Sequence, residues 1–113
     1  MAKTEYRYNR AKLVRVKDAD TVVLLCDCGF HMHAEQTFRL AGINCPEKNT
    51  DEGQAAMRFT ESWFTRHGGE CAIVSHGQDK YGRWLATIAS TSDEHDTLNG
   101  ALIANSYAVE YRG

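Results

Sequence analysis

Two arginines and a few turn carboxylates offer the most chemistry in this sequence. Arg39 and Arg83 each interrupt an apolar strand pattern whose bulky neighbours alternate to the other side. The carboxylates stand in turns: Asp18 and Asp20 flank Ala19, Glu47 follows Pro46, and Asp79 opens the run Asp79-Lys80-Tyr81-Gly82-Arg83. Taken singly, a strand arginine is a solvated charge and a turn aspartate is a turn former. Gathered on one rim, two guanidiniums and several oxygens could hold a hard cation and a phosphate together. A second cluster, Cys26-x-Cys28-x2-His31-x-His33, puts four soft ligands within eight residues, the type of set that binds zinc. Its spacing is not the usual C-x2-C, and alternation on a hairpin can send the four to different faces. Incidental hairpin residues are therefore the competing reading.

Strands and turns must position these groups. Residues 13–17 carry a short strand pattern with Val14 and Val16 on one face, and Asp18-Ala19-Asp20 is a turn signal. Residues 21–26, rich in β-branched types, form the clearest strand. After a turn at Cys28-Gly29-Phe30, residues 33–41 read as a third strand, with Phe38 and Leu40 facing away from Thr37 and Arg39. A loop runs from Asn44 to Glu52. Asp51 followed by Gln54 starts a helix in the manner of a capping box. Its apolar stripe is Ala56, Phe59 and Trp63, flanked by Met57, Thr60 and Phe64, and Gly68-Gly69 ends it. Residues 71–75 and 82–89 are further strands around a loop at 77–81. Trp84, Ala86 and Ile88 share one face of the second, which assigns Trp84 to the core. Leu98, Ala101 and Leu102 mark a short second helix, His67 and His95 read as helix-end residues, and residues 107–111 are extended. Residues 1–9 read as a flexible arm. Three strands, a helix, two strands and a helix is the order of an α+β OB-fold, a five-stranded barrel with a helix after strand 3 and a short C-terminal helix.

Composition narrows the class. The 113 residues suit one domain, residues 1–113, and 42% hydrophobic with 25% charged residues is globular. The longest apolar run, 22–26, is far short of the ~20 residues of a membrane span, so no membrane association is expected. The polar start MAKTEYRYNR has no secretory pattern, so a cytoplasmic location and four free cysteines, Cys26, Cys28, Cys45 and Cys71, are expected. The net charge of −2 excludes a globally basic nucleic-acid binder. Charge is nevertheless uneven: residues 1–25 hold six Lys/Arg against three Asp/Glu, and residues 91–113 hold one against four. A local basic site remains open.

The segments Asp18-Ala19-Asp20-Thr21, Phe38-Arg39-Leu40 through Asn44-Cys45-Pro46-Glu47, Asp79 through Ala86, and Leu98-Asn99-Gly100-Ala101-Leu102-Ile103 resemble the staphylococcal nuclease family. The resemblance runs in order from about residue 12 to residue 111. It implies an OB-fold nuclease that hydrolyses DNA and RNA phosphodiesters with Ca²⁺ and leaves 3′-phosphate ends. By matched position, Arg39, Glu47 and Arg83 correspond to the catalytic trio, Glu47 as general base and the arginines on the pentacovalent phosphate. Asp20 matches a calcium-ligand carboxylate, Asn44 falls where a second one stands, and Cys45 falls where a backbone carbonyl binds the metal. Lys80 and Tyr81 match residues that contact a nucleotide phosphate. Tyrosines that stack on bases stand near the family's C-terminal end, which makes Tyr111 a further candidate, with packing as the competing role for it and Tyr107.

Four departures accompany the match. Ala19 replaces a glycine, Asn44 replaces a carboxylate, the loop after Glu47 is expected to be shorter, and residues up to 113 hold no counterpart of the founding member's final helix. The expected partner is a DNA or RNA substrate, with no obligate protein partner and a monomeric state. The alternative is a catalytically weak or inactive nucleic-acid-binding module of the same fold. Retention of Arg39, Glu47 and Arg83 favours the enzyme.

Overall fold

Alternation of apolar side chains along five strands produces a barrel. The computed structural model describes residues 5–111. Its strands are β1 (Tyr6–Asp18), β2 (Thr21–Asp27), β3 (His33–Leu40), β4 (Ile43–Asn44), β5 (Glu70–Gln78), β6 (Trp84–Ala89) and β7 (Val109–Glu110). Helices α1 (Asp51–Arg66) and α2 (Leu98–Ala104) follow β4 and β6. The closed barrel has the order β1-β2-β3-β6-β5, and β4 pairs with β7 in a separate two-stranded sheet. This is the α+β OB-type architecture expected from the element order. All barrel pairings are antiparallel except β3–β6, which is parallel and only three pairs long: Phe38 with Trp84, Arg39 with Leu85, and Leu40 with Ala86.

The core follows from the inward positions. Val22, Leu24, Cys26, Phe38, Leu40, Ile73, Ala86 and Ile88 are buried, and Trp63 and Phe64 of α1 and Leu98 and Leu102 of α2 join them. Thr60 of α1 lies fully buried, and its hydroxyl donates to the Ala19 carbonyl at 2.7 Å. That bond ties the β1–β2 turn to the helix. Ala19 is itself fully buried and does not take a positive φ, so alanine suits a position where glycine was the family expectation.

Several local expectations need correction. Residues 6–9 are not an arm: they belong to β1, where Tyr6, Arg7 and Tyr8 pair with Ser75, Val74 and Ile73. Alternating aromatic side chains suit a strand that has a long partner beside it. Residues 1–4 of that expected arm lie outside the described residues. On β1 a bulge between Leu13 and Arg15 turns Val14 out to solvent, so Leu13 and Val16, not Val14 and Val16, pack on the core. The N-cap of α1 is Thr50, one residue before Asp51, with its hydroxyl accepting from the Gly53 N–H at 3.0 Å. Asn44 lies on β4, not in a loop.

Trp84 is the largest correction, because it is 37% exposed. It faces inward by alternation, but it starts β6 where the parallel seam starts, and no strand covers it beyond that point. At the other end of the seam, the buried Asn99 carboxamide donates to the carbonyls of Ala41 (3.0 Å) and Ala86 (3.1 Å) and accepts from the Ile88 N–H (3.0 Å).

The cysteines are free. Burial, helped by the neighbouring Cys28, pushes the Cys26 thiol up to about 11. Burial likewise pushes Cys71 to about 12, with Cys26 and Glu70 adding to it. Among the described residues no three His, Cys, Asp or Glu side chains converge as a metal set, the Cys26–His33 cluster included. Cys26 is buried, and His31 sits at the hairpin tip with φ 59°. Among the described residues no helix is long and apolar enough to cross a membrane.

Two outcomes follow for stability. Asn99→Ala strands the buried Ile88 N–H and takes the donor from the Ala41 carbonyl, while the Ala86 carbonyl keeps the Ala41 N–H. At about 1–3 kcal/mol for a stranded buried group, a loss of about 2–3 kcal/mol is expected in urea unfolding. The buried thiols make the fold alkali-sensitive. An unfolded thiol ionises near pH 8.5 while the folded ones hold their protons, so stability is full below that value and falls as pH rises toward 11–12. Urea midpoints measured from pH 7 to 10 should decline above pH 8.5, and Cys71→Ala should flatten the decline.

Candidate functional site

The site grows from both sides of the short parallel seam. Arg39 points outward from β3, and Arg83 immediately precedes β6. The Arg39 guanidinium is nearly buried, its side chain only 10% exposed, so it requires partners. Its Nη2 lies 3.7 Å from Asp20 Oδ2 and donates to Asn44 Oδ1 at 3.3 Å, while Nη1 donates to the Leu40 carbonyl at 3.3 Å. Asp20 is buried too, and its Oδ2 accepts from the Cys45 N–H at 3.3 Å. The β1–β2 turn, β3 and β4 therefore converge on one guanidinium.

Arg83 is placed differently. The Asp79-Lys80-Tyr81-Gly82-Arg83 run is a self-bonded turn. Asp79 Oδ1 accepts from the backbone N–H groups of Tyr81 and Arg83, both at 2.9 Å, and Oδ2 accepts from Arg83 Nε at 2.7 Å. Gly82 takes φ 78°, which a side chain would resist. Burial pulls the Asp79 pKa upward, but the Arg83 N–H, the Arg83 guanidinium and the Tyr81 N–H outweigh it and hold it below the usual carboxylate value. Among the described residues only Nε of the guanidinium is hydrogen-bonded, so its outer nitrogens face no partner there. The Tyr81 ring has Lys80 Nζ and the Arg83 guanidinium each 5.3 Å from its centre, and Arg39 lies 5.4 Å from the Tyr111 ring.

Arg39, Arg83, Lys80, Tyr81 and Tyr111 line one cavity of about 230 Å³. Tyr111 reaches it because β7 pairs with β4 and the Tyr111 N–H donates to the Gly42 carbonyl at 2.9 Å. Tyr107 instead packs on Phe59, with ring centres 4.9 Å apart. His67 lies at the end of α1, between the Trp63 carbonyl and Asp96, and His95 is exposed.

Glu47 is not drawn into this set. It is exposed, and among the described residues its carboxylate makes no hydrogen bond or ion pair. Its backbone is fixed instead. The Glu47 carbonyl accepts from Thr50 Oγ1 at 2.7 Å and from the Thr50 N–H at 3.1 Å. Gly53 packs so closely that a Cβ there would lie 1.7 Å from the Glu47 carbonyl oxygen. Gly53, Thr60 and Asn99 are supporting residues that the residue types alone did not single out. Each acts through a partner far along the chain or through the absence of a side chain.

The oxygens of Asp20, Asn44 and the Cys45 carbonyl form a hard donor set of the type that suits calcium. The donor types fit the ion, Asp20 and Asn44 both contact Arg39 Nη2, and the Cys45 N–H donates to Asp20. Only one of the three is a carboxylate. Burial, then Asp20 and Asp18, push the Cys45 thiol up to about 12 against the opposing pull of Arg39. The thiol is thus a neutral filler at neutral pH.

The family model described as "Staphylococcal nuclease homologue" matches residues 37–113. No curated protein matches the chain.

The Gly53 contact yields a test. At most helical positions Gly→Ala gains about 1 kcal/mol. Here the methyl meets backbone, so Gly53→Ala should destabilise by about 1–3 kcal/mol in denaturant unfolding. Amide NMR shifts should move most at Glu47 and Lys48.

Proposed function

The chain belongs to the staphylococcal nuclease homologue family, and we propose that it is a calcium-dependent nuclease that hydrolyses DNA or RNA phosphodiesters to 3′-phosphate products. The observation that carries the reading is the nearly buried Arg39 guanidinium, held by Asp20 and Asn44 at the edge of a cavity shared with Arg83.

A phosphodiester carries a negative charge that repels hydroxide, so charge must be neutralised before attack. In this reading Arg39 and Arg83 donate N–H groups to the non-bridging oxygens, and they bind the pentacovalent arrangement more strongly as its charge grows. Arg39 needs little reorganisation, because two hydrogen bonds and the Asp20 ion pair already restrain its plane. Arg83 is aimed by Asp79 through Nε, which leaves its outer edge for phosphate. The Glu47 carboxylate takes the proton of the attacking water, the water oxygen bonds to phosphorus, the P–O5′ bond breaks, and the departing 5′-oxygen is protonated from solvent. Lys80 and Tyr81 flank the cavity and hold a neighbouring phosphate, and Tyr111 offers a ring face to a base. Asp20, Asn44 and the Cys45 carbonyl would hold a calcium ion, which would supply Lewis-acid neutralisation of phosphate charge when bound. The substrate is the only partner this reading requires, and the acting species is a monomer.

A specific observation supports a second reading. Asn44 stands in the ligand set without a charge, and its oxygen is engaged by Arg39. A module that binds nucleic acid and cleaves it weakly or not at all would fit that arrangement.

Digestion of single-stranded DNA, duplex DNA and RNA decides between them. Calcium-dependent cleavage abolished by chelator is expected, with 3′-phosphate ends. Glu47→Gln and Arg39→Ala should each lower kcat by about 10²-fold or more. Salt-sensitive binding without cleavage would favour the module. Asn44→Asp adds a carboxylate to the donor set, so half-maximal activation should need about tenfold less calcium. An unchanged calcium dependence would remove Asn44 from the ligand set.

A further inference from the structure

We propose that the open end of the barrel is a base-binding subsite continuous with the phosphate cavity, taking one nucleobase of an extended single-stranded chain; the proposal rests on the nuclease reading of that cavity.

Four observations lead there. First, Trp84 faces inward by strand alternation yet is 37% exposed, because the β3–β6 seam starts at Trp84 and leaves the interior open beyond it. Second, the opening is aromatic. Tyr6 and Tyr8 of β1, Phe38 of β3 and Trp84 surround a cavity of about 200 Å³, with Gln36 and Ser75 as its polar edge. It lies toward the ends of β2 and β3 remote from the β1–β2 turn, where α1 is tied through Thr60 and Ala19. Third, among the described residues the rings of Trp84 and Tyr6 stack on no other aromatic ring, so their faces are available. Fourth, the opening joins the phosphate cavity through shared walls. Arg39 and Arg83 line both that cavity and an adjoining one, and Gln36 and Trp84 line both the adjoining one and the barrel end.

The chemistry selects the occupant. Two guanidiniums at one end attract a phosphate backbone, and ring faces at the other accept a flat π-system of any base. Gln36, whose Oε1 accepts from the Thr37 N–H at 3.0 Å, offers its carboxamide N–H groups to a base edge. An apolar peptide would gain nothing from the arginines, and a duplex base is already stacked and cannot turn into the opening. The subsite therefore favours unpaired nucleotides, a preference set by residues apart from the catalytic trio.

The test uses the full chain and an oligothymidylate octamer, in EDTA so that binding is read without cleavage. Trp63 is buried, so a change in tryptophan emission on binding reports Trp84. Saturable quenching is expected. Trp84→Ala and Tyr6→Ala should each raise the octamer Kd roughly tenfold, read by anisotropy of a labelled octamer, since one stacked base is worth about that much. Phe30→Ala, on the exposed hairpin tip, should leave it unchanged. The octamer annealed to its complement should bind at least about tenfold more weakly. With calcium restored, kcat/KM for the octamer relative to bis(p-nitrophenyl) phosphate should fall by a similar factor in both aromatic variants.

An octamer Kd unchanged in both variants, or no binding at all, overturns the subsite; Tyr6→Ala keeps the test decisive should Trp84→Ala fail to fold. The two readings fail separately. A quenching, aromatic-dependent octamer that calcium leaves uncleaved sinks the nuclease reading and keeps the subsite. A cleaved octamer indifferent to both aromatic variants does the reverse.

Discussion

Three parallel residue pairs between β3 and β6 close the barrel, and the Asn99 carboxamide secures their end. A parallel pairing so short supplies few ladder bonds of its own. Asn99 adds three from a helix, to two carbonyls and one N–H, two of them buried. Both arginines depend on that seam. Arg39 sits within it opposite Leu85, and Arg83 is the last residue before it. If β6 slid against β3, the two guanidiniums would separate and the cavity between them would be lost. The same shortness leaves Trp84 uncovered, so one constraint sets both the spacing of the cations and the opening of the barrel end.

The two arginines are restrained by different physics. Arg39 is nearly buried, and a desolvated cation persists only where acceptors surround it. Asp20, Asn44 and the Leu40 carbonyl provide them from three separate elements. Arg83 is half exposed, and its pair with Asp79 is a surface ion pair that contributes little to stability. Its value is directional, because a bond at Nε fixes the plane without occupying the outer edge. A chain with a net charge of −2 can in this way keep a concentrated cationic spot. Asp20 lies outside the cavity lining, and Asp79 lines it but spends its oxygens on the Arg83 and Tyr81 N–H groups.

The barrel was largely legible in the sequence, and the reason is local. Alternation in residues 21–26 and 33–41, the stripe of α1 and the glycines after it are short-range patterns that depend on few neighbours. The bulge at Val14, the pairing of residues 6–9 and the exposure of Trp84 depend on which strand lies alongside, and a single strand carries no record of that. The site divides the same way. The Asp79–Arg83 turn is legible because the carboxylate, the glycine and the arginine it needs lie within five residues. The grouping of Asp20, Asn44 and Cys45 across 25 residues comes only through the family resemblance, and the bonds that tie Asp20 to Cys45 and Asn44 to Arg39 appear only when the chain folds. Gly53 is harder still, since its contribution is the absence of a methyl group beside the Glu47 carbonyl.

Asn44 shows how the proposed cation site and the arginine site constrain each other. Its Oδ1 accepts from Arg39, and an amide oxygen has two lone pairs, so one atom can receive the guanidinium and still face a calcium ion. A carboxylate there would bind the ion more tightly, but it would also grip Arg39 with full charge, beside an Asp20 that already does so. The guanidinium would then be drawn back from the phosphate it is proposed to meet. On this argument the neutral amide weakens the hold on calcium and at the same time leaves Arg39 more of its charge for the substrate, two consequences that one side chain cannot separate.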